Sequence, residues 1–262
     1  MCRKPLFILA IAGCLSGSKH GYAALIEHFD SYASQAAFEA VWRPWSADGS
    51  SMTFAQGIGR NGGGGVHGVA PVNYRNRNAR DLDDLSAYRG TDASPVRFEF
   101  WLYDADPKAP TPPSGARNFS ELRAYVENGI PAYGTGGLQG LVAMGLYNTP
   151  VSDDNFHARV YYGGVSAWYS LNTPRTPGWH KLTSLIGETT IRFLVDDQLD
   201  TIVPLIDRTR LFAFDGVVLG SGLTSGGYDA TFDDLVVQKT PEPVTILLLA
   251  IGGIFFRRLR RA

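Results

Sequence analysis

Cysteine is nearly absent from this 262-residue chain. Cys2 and Cys14 are the only two cysteines, and both lie before residue 24. Residues 24 to 239 therefore have no disulfide available, and a hydrophobic core must hold them together. That stretch is rich in Phe, Tyr, Trp, Val and Leu, and neither an internal repeat nor a Pro/Ser-rich linker divides it. The sequence predicts one large domain over residues 24 to 239.

Basic residues are scarce in the same region. Residues 24 to 239 carry 17 Lys and Arg against 24 Asp and Glu, a net charge of -7 that the basic termini reduce to -1 for the whole chain. Nucleic acids and anionic lipids bind proteins through basic faces. The charge balance argues against nucleic acid or anionic lipid as a partner.

Familiar catalytic motifs are also missing. No Glu-x-Asp-x-x-Glu cluster, Gly-x-Ser-x-Gly elbow or complete phosphate loop occurs. The histidines of the predicted domain are too scattered for a zinc site: His28, His67, His157 and His180. We therefore predict no catalytic residue and a non-enzymatic protein. The alternative is a glycan-active hydrolase whose acids meet across neighbouring strands, with Glu99 and Glu121 as the candidate pair.

The first 23 residues have the pattern of a secretory signal helix. Arg3 and Lys4 precede the apolar run Leu6 to Ala12. Gly21-Tyr22-Ala23 offers small residues to a leader peptidase, with cleavage after Ala23. In the alternative interpretation, Ile11 to Cys14 resembles a lipobox and Cys14 becomes a lipidated first residue.

The last 22 residues combine a turn, an apolar helix and a basic end. Pro241-Glu242-Pro243 is followed by an uncharged run from Val244 to Phe256. Thirteen residues of helix span only about 20 Å, against a hydrocarbon core of about 30 Å, so a transmembrane helix here would be short. The basic end contains Arg257, Arg258, Arg260 and Arg261. These arginines hold the C-terminus in the cytoplasm, which leaves the domain on the far side of the membrane.

This arrangement resembles the PEP-CTERM sorting tail, over Pro241 to Ala262. The resemblance implies export, transient retention in the inner membrane facing the periplasm, and cleavage near Pro241-Glu242-Pro243 by an exosortase. It also implies release to the cell surface or to an exopolysaccharide-rich extracellular matrix of a biofilm. The alternative is an ordinary short tail anchor that no enzyme cuts.

Period-two alternation dominates the predicted domain. Val96 to Tyr103 places Val96, Phe98, Phe100 and Leu102 on one side, and Glu121 to Glu127 repeats the pattern with Leu122, Ala124 and Val126 inward. The only helical candidate is Ser34 to Trp42, where Ser34 can cap and Phe38, Val41 and Trp42 share a face. Further predicted strands are 138–147, 158–162, 167–171, 179–184, 190–196, 211–219 and 230–237.

Many short strands without crossover helices favour an all-β fold, an antiparallel two-sheet jelly-roll sandwich. Gly178 to Lys181, Ile191 to Asp197 and Phe232 to Val237 resemble late strands of concanavalin-like and laminin-G-like sandwiches. The resemblance covers about the second half of the domain, and a ligand inferred from it is an analogy.

Aromatic residues on a polar strand face are the remaining functional signal. Sugar rings stack on flat aromatics while polar side chains bind the hydroxyls. Arg97, Glu99, Trp101 and Tyr103 have that composition, and Tyr125 would extend the face if its strand is a neighbour. The alternative is ordinary packing under a loop. The remaining tryptophans are predicted to lie in the core: Trp42, Trp45, Trp168 and Trp179.

Calcium is the one cofactor that the fold resemblance implies. Related sandwiches pin the first strand to the last through oxygen ligands, and Glu27 or Asp30 could meet Asp233 or Asp234. The sequence as a whole predicts an exported sandwich protein of the polysaccharide matrix. A glycan-active hydrolase and a purely structural surface protein are the alternatives.

Overall fold

The computed structural model describes residues 24–46, 48–68, 76–83, 88–105, 117–126, 129–132, 136–147, 154–221 and 229–240. These residues form one α-helix, α1 (Gln35–Val41), and fifteen strands. The strands are β1 Ala24–Glu27, β2 Arg43–Pro44, β3 Thr53–Gln56, β4 Gly64–Gly68, β5 Arg77–Asp81, β6 Val96–Asp104, β7 Arg117–Tyr125, β8 Leu138–Tyr147, β9 Asn155–Tyr162, β10 Val165–Pro174, β11 Gly178–Ile186, β12 Thr190–Val195, β13 Gln198–Pro204, β14 Gly216–Ser221 and β15 Ala230–Lys239.

The strands form two antiparallel sheets. Sheet A has the order β13-β12-β11-β6-β15-β4-β3, with β1 paired to β15, and sheet B has the order β10-β9-β8-β7-β14-β5-β2. Neighbours in each sheet are often distant in sequence, as β6 and β15 are. The predicted all-β fold with two antiparallel sheets is confirmed.

The core lies between the two sheets and follows the predicted alternation. On β6, Val96, Phe98, Phe100 and Leu102 are fully buried. On β7, Leu122 and Ala124 point into the same core, whereas Val126 lies just beyond the strand and is 64% exposed. The inward position predicted for Val126 is wrong because β7 ends at Tyr125.

Helix α1 begins where the sequence predicts. The Ser34 hydroxyl accepts a hydrogen bond from the Ala37 amide at 3.2 Å, which satisfies one of the free N–H groups of the first turn. Phe38 and Trp42 are buried, but Val41 is 41% exposed. Two aromatic side chains are enough to attach this short helix to the core.

Both predicted targeting segments, residues 1–23 and 241–262, lie outside the described residues. In the part of the chain that the structure describes, no helix has the length and apolar character needed to cross a membrane. The signal helix, the sorting tail and its short transmembrane helix stay predictions.

Candidate functional site

The outer face of sheet B gathers polar and aromatic side chains from four adjacent strands. The strand register aligns Glu121 of β7, Ala143 of β8, Arg159 of β9 and Trp168 of β10 in one row across the sheet. The next row brings Arg123, Leu141, Tyr161 and Ser166 together. Because alternate residues of a strand share a face, all these side chains lie on the side opposite the core.

These rows enclose a cavity of about 300 Å³, which we name the sheet B pocket. Its floor is apolar and consists of Phe119, Leu141 and Ala143, which pack together. Strands lie about 4.8 Å apart, so the backbones of Glu121 and Arg159 are roughly 10 Å apart with only the methyl group of Ala143 between them. The polar and aromatic walls are Arg117, Glu121, Arg123, Arg159, Tyr161, Ser166 and Trp168.

Trp168 presents an accessible aromatic surface at this pocket. Its side chain is 37% exposed and stacks on Tyr147 with ring centroids 4.4 Å apart and an interplanar angle of 19°. The guanidinium carbons of Arg117 and Arg159 each lie 5.3 Å from the Trp168 ring centre. The core position predicted for Trp168 is wrong, because β10 points it outward.

Arg159 is held in place by neutral groups. It donates hydrogen bonds to the Val160 carbonyl at 2.8 Å and to the Ser166 hydroxyl at 3.1 Å. Burial lowers the pKa of Arg159, and the positive charge of Arg117 lowers it further. Two cations therefore share one aromatic wall of the pocket.

Glu121 and Arg123 form a buried ion pair beside the pocket. The Arg123 Nε donates to Glu121 Oε2 at 2.6 Å, and a second nitrogen of Arg123 donates to the Tyr125 hydroxyl at 2.9 Å. Arg123 also lies 4.6 Å from the ring centre of Trp45, which confirms the buried position predicted for that tryptophan. Arg123 is 1% exposed and Glu121 is 6% exposed, so neither charge is screened by water.

The sugar-binding face predicted from the sequence is divided between the two sheets. Arg97, Glu99, Trp101 and Tyr103 lie on the outer side of β6 in sheet A, where the neighbours of β6 are β11 and β15. Tyr125 is on β7 in sheet B and cannot extend that face. For the same reason Glu99 and Glu121 do not meet, so they are not a catalytic pair.

A loop covers the middle of the β6 face. The Arg60 guanidinium lies 3.8 Å from the Trp101 ring centre, and the Arg60 amide donates to Asp233 Oδ2 at 2.8 Å. Gly59 permits this approach, since a Cβ there would come within 2.2 Å of the Gly64 carbonyl oxygen. These contacts agree with the alternative interpretation, in which Trp101 is packed under a loop. Stacking of a sugar on Trp101 stays untested.

The four proposed calcium ligands have other partners. Glu27 accepts hydrogen bonds from Arg80 and Tyr32, both at 2.6 Å, and Asp30 accepts one from the Gly64 amide at 2.7 Å. Asp233 accepts from backbone amides, and Asp234 contacts His28 at 2.6 Å. Over the described ranges, no group of three or more His, Cys, Asp or Glu side chains is arranged to hold a metal ion. The calcium site stays a prediction.

No family model matches the chain, and no curated protein sequence matches it. Among the solved structures that share its fold, two illustrate the similarity. One is a GlcNAcα1-4Gal-releasing endo-β-galactosidase from Clostridium perfringens, with 10% identity, a TM-score of 0.53 and coverage of 84% of this chain and 63% of that one. The other is a carbohydrate esterase of the Shiga toxin-encoding bacteriophage phi24B, with 13% identity, a TM-score of 0.51 and coverage of 82% and 97%. At such low identity, this similarity shows the fold alone.

The prediction of a non-enzymatic protein needs correction. It rested on missing sequence motifs, whereas both of these structures are named as enzymes that act on carbohydrates. Catalytic groups on a sandwich can come from separate strands, so a missing local motif does not exclude activity. The signal that could have identified the sheet B pocket is the outward row of β9, which reads His157, Arg159 and Tyr161.

Proposed function

We propose that this protein is a glycan-active enzyme and that the sheet B pocket is its active site. The observation that carries the proposal is the partly exposed Trp168, placed beside arginines over a floor of small and apolar residues. A flat aromatic surface binds the C–H face of a sugar, and the surrounding polar groups bind its hydroxyls. The fold shared with two carbohydrate-active enzymes supports the proposal but does not identify a substrate.

The titratable groups of the pocket limit the chemistry. Glu121 is the only carboxylate among the described residues that line it. Glycosidases usually flank the scissile bond with two carboxyl groups, about 5 Å apart in retaining enzymes and further apart in inverting ones. We therefore assign proton transfer to and from the bound sugar to two groups, the carboxylate of Glu121 and the phenol of Tyr161. Tyr161 is 37% exposed at the pocket wall.

The test is a glycan array with the purified protein, scored separately for retention and for cleavage. Ala143→Leu fills the space between Glu121 and Arg159 without removing a polar group, and it should abolish both signals. Glu121→Gln keeps the side-chain shape and should remove cleavage while retention persists. Trp101→Ala on the opposite sheet is the matched control and should leave both signals unchanged.

A melting curve of each variant shows whether it has folded, so that a loss of activity can be assigned to the pocket. Cleavage that survives in folded Ala143→Leu would place the active site elsewhere. Retention without cleavage by the wild-type protein would reject the enzyme, and no retention on any glycan would favour a structural protein.

We also propose that the protein is exported and sorted through its C-terminal tail. The support is the order of Pro241-Glu242-Pro243, an uncharged run and a cluster of arginines. Mass spectrometry of the protein recovered from its host should show cleavage near Glu242, and Glu242→Ala should prevent it. If the wild type is never cut near these residues, the sorting proposal fails.

A further inference from the structure

The sheet B pocket continues into a second cavity near the turn from β9 to β10. The second cavity has a volume of about 210 Å³ and shares Leu138, Tyr161 and Ser166 with the lining of the sheet B pocket. Tyr161 and Ser166 are opposite each other in the register of β9 and β10, so they mark the boundary between the two spaces. Two adjoining cavities with a common boundary form one groove rather than two separate holes.

The groove is longer than one sugar ring. Trp168 lines the sheet B pocket and Val165 lines the second cavity, and these two residues of β10 lie about 10 Å apart along the strand. Small-molecule sites in proteins usually have volumes of about 300 to 1,000 Å³. The second cavity by itself is below that range, and the sheet B pocket of about 300 Å³ is at its lower limit. A ligand that fills the groove therefore extends through both cavities.

Glu121 lies within the groove rather than at one of its ends. On β7, Phe119 lines the sheet B pocket on one side of Glu121, and Arg123 lines it on the other. The second cavity extends the groove beyond the row that contains Arg123 and Tyr161. A glycosidic bond placed at Glu121 consequently has room for a sugar on both sides within the pocket, and the second cavity follows as the space for the next sugar.

The far wall of the second cavity is fixed by the segment that follows β13. The amides of Ile206 and Asp207 both donate to the Gly163 carbonyl at 2.9 Å. The Gly163 amide in turn donates to the Arg210 carbonyl at 3.1 Å. Gly164 has a φ of +80°, and a Cβ there would lie 2.7 Å from the Cβ of Asp207, so the turn needs glycine at this position. The wall is thus a built part of the fold that can present side chains to a ligand.

Two polar side chains, those of Gln139 and Arg210, line the second cavity but not the sheet B pocket. The amide of Gln139 has two N–H donors and an acceptor oxygen, and the guanidinium of Arg210 has donors only. The Arg210 side chain is 64% exposed, and its Nε lies 3.5 Å from Asp207 Oδ2, an exposed contact that restrains it weakly. Both side chains are therefore available to bind the hydroxyls of a sugar in the second cavity.

We propose that the second cavity is a subsite for a further sugar of the same glycan chain, and that the enzyme acts on bonds inside a polymer rather than on the terminal sugar. Gln139 and Arg210 bind the hydroxyls of that further sugar and thereby determine the length of glycan that is recognised. This inference rests on the proposed glycan-active function and adds the form of the substrate and the place of cleavage.

The experiment compares glycans of different length with the purified protein. Agarose, xylan, laminarin and dextran, and any other glycan retained on the array, are each supplied as the polymer and as labelled oligosaccharides from the dimer to the hexamer. For at least one series, we expect the tetramer to bind at least about tenfold more tightly than the dimer, since a hydrogen bond to a charged group contributes that much affinity. Cleavage of the polymer should lower the viscosity early and release oligosaccharides instead of single sugars.

Three variants connect the length dependence to the second cavity. Arg210→Ala should weaken binding of the tetramer at least about tenfold, and Gln139→Ala about two- to tenfold, because hydrogen bonds to charged groups are the stronger ones. Neither change should affect the dimer, which the sheet B pocket holds alone. Arg208→Ala removes an exposed arginine from the same 3₁₀ turn, Arg208–Arg210, without altering the lining of the cavity, and should change neither affinity. Melting curves confirm that each variant is folded.

The two proposals fail in different ways. Equal binding of dimer and tetramer, or a length dependence that is unchanged in both Gln139→Ala and Arg210→Ala, would overturn the subsite and leave the glycan-active function intact. Release of single sugars without an early fall in viscosity would overturn cleavage inside the chain. If none of these polymers and no glycan on the array is retained or cut, both proposals fail.

Discussion

Strands β6 and β7 carry closely related outward patterns but end in different environments. Each contains an arginine and a glutamate two residues apart, Arg97 with Glu99 on β6 and Glu121 with Arg123 on β7. The side chain of Arg97 is 34% exposed, whereas that of Arg123 is 1% exposed. The same local pair is thus a partly solvated contact on sheet A and a buried one on sheet B. The neighbouring strands and loops, rather than the pair itself, set its energetic importance.

The two faces also differ in what covers them. On sheet A, the glycine-rich loop around Gly59 brings Arg60 over Trp101 and Asp233. On sheet B, the small residues of β8 leave a cavity between Glu121 and Trp168. A strand face rich in aromatic and charged residues becomes a candidate site only where the surrounding chain leaves it open.

The largest expected effect is a difference in folding stability between variants of the two ion pairs. Glu121→Ala leaves Arg123 buried without its carboxylate, and we expect the free energy of unfolding to fall by about 3 to 5 kcal/mol. Glu99→Ala leaves a partly exposed Arg97 that can turn to water, and it removes the acceptor of the Thr183 hydroxyl, so the expected loss is about 1 to 2 kcal/mol. Denaturant unfolding of both variants measures the difference. Equal losses would show that the two pairs are equivalent after all.

The stability of the domain should also depend on pH, through titratable groups in the covered part of sheet A. Burial, opposed by amide hydrogen bonds, raises the pKa of Asp233 to about 6, so the folded state holds this proton between pH 4 and 6 while the unfolded state loses it. The hydrogen bond to Asp234 raises the pKa of His28. Both contributions to stability are present at low pH and are lost as the pH rises through the folded-state pKa values.

We therefore expect the domain to gain stability between pH 7.5 and 5, with at most about 1.4 kcal/mol from Asp233, because only the pH unit below its folded-state pKa contributes in this range. Unfolding curves at the two pH values measure the gain, and Asp233→Asn should reduce it. The carboxylates whose pKa values are lowered, such as Asp48 and Asp207, lose their contributions only near or below pH 4. An unchanged pH dependence in Asp233→Asn would assign the gain to other groups.

Binding should distinguish the two tryptophans. Trp168→Ala should weaken glycan binding by about 1 to 3 kcal/mol, by analogy with stacking of aromatics on nucleobases. Trp101→Ala should leave binding unchanged and lower the stability instead, because it removes a ring packed under Arg60. One binding assay and one melting curve on each variant suffice. The opposite result would restore the β6 face as the sugar site.

Calcium is expected to have the smallest effect. If the ends of the domain share a calcium ion, added calcium should raise the melting temperature relative to chelator, since a ligand of the folded state stabilises it. The double change Asp233→Ala and Asp234→Ala should remove that shift. No shift in the wild type would eliminate the site, and a shift that survives the double change would place it elsewhere.

Alternation alone was sufficient to predict the long central strands. Leu138 to Tyr147 was predicted with the bounds that the structure shows, and the inward side of β6 is as expected. The short strands β1 to β5 and the edge strand β13 were not predicted. β4, which reads Gly-Gly-Val-His-Gly, carries little hydrophobic pattern, and the hydrogen bonds to β3 and β15 place it in the sheet.

The sequence by itself determined an all-β sandwich with a core built from alternating apolar residues and an acidic surface, because periodicity and charge are local properties. Only the tertiary structure decided which face is open. β6 and β7 look alike in sequence, yet they belong to different sheets. The sheet B pocket depends on long-range pairing that aligns Glu121, Ala143, Arg159 and Trp168, and no local pattern encodes that alignment.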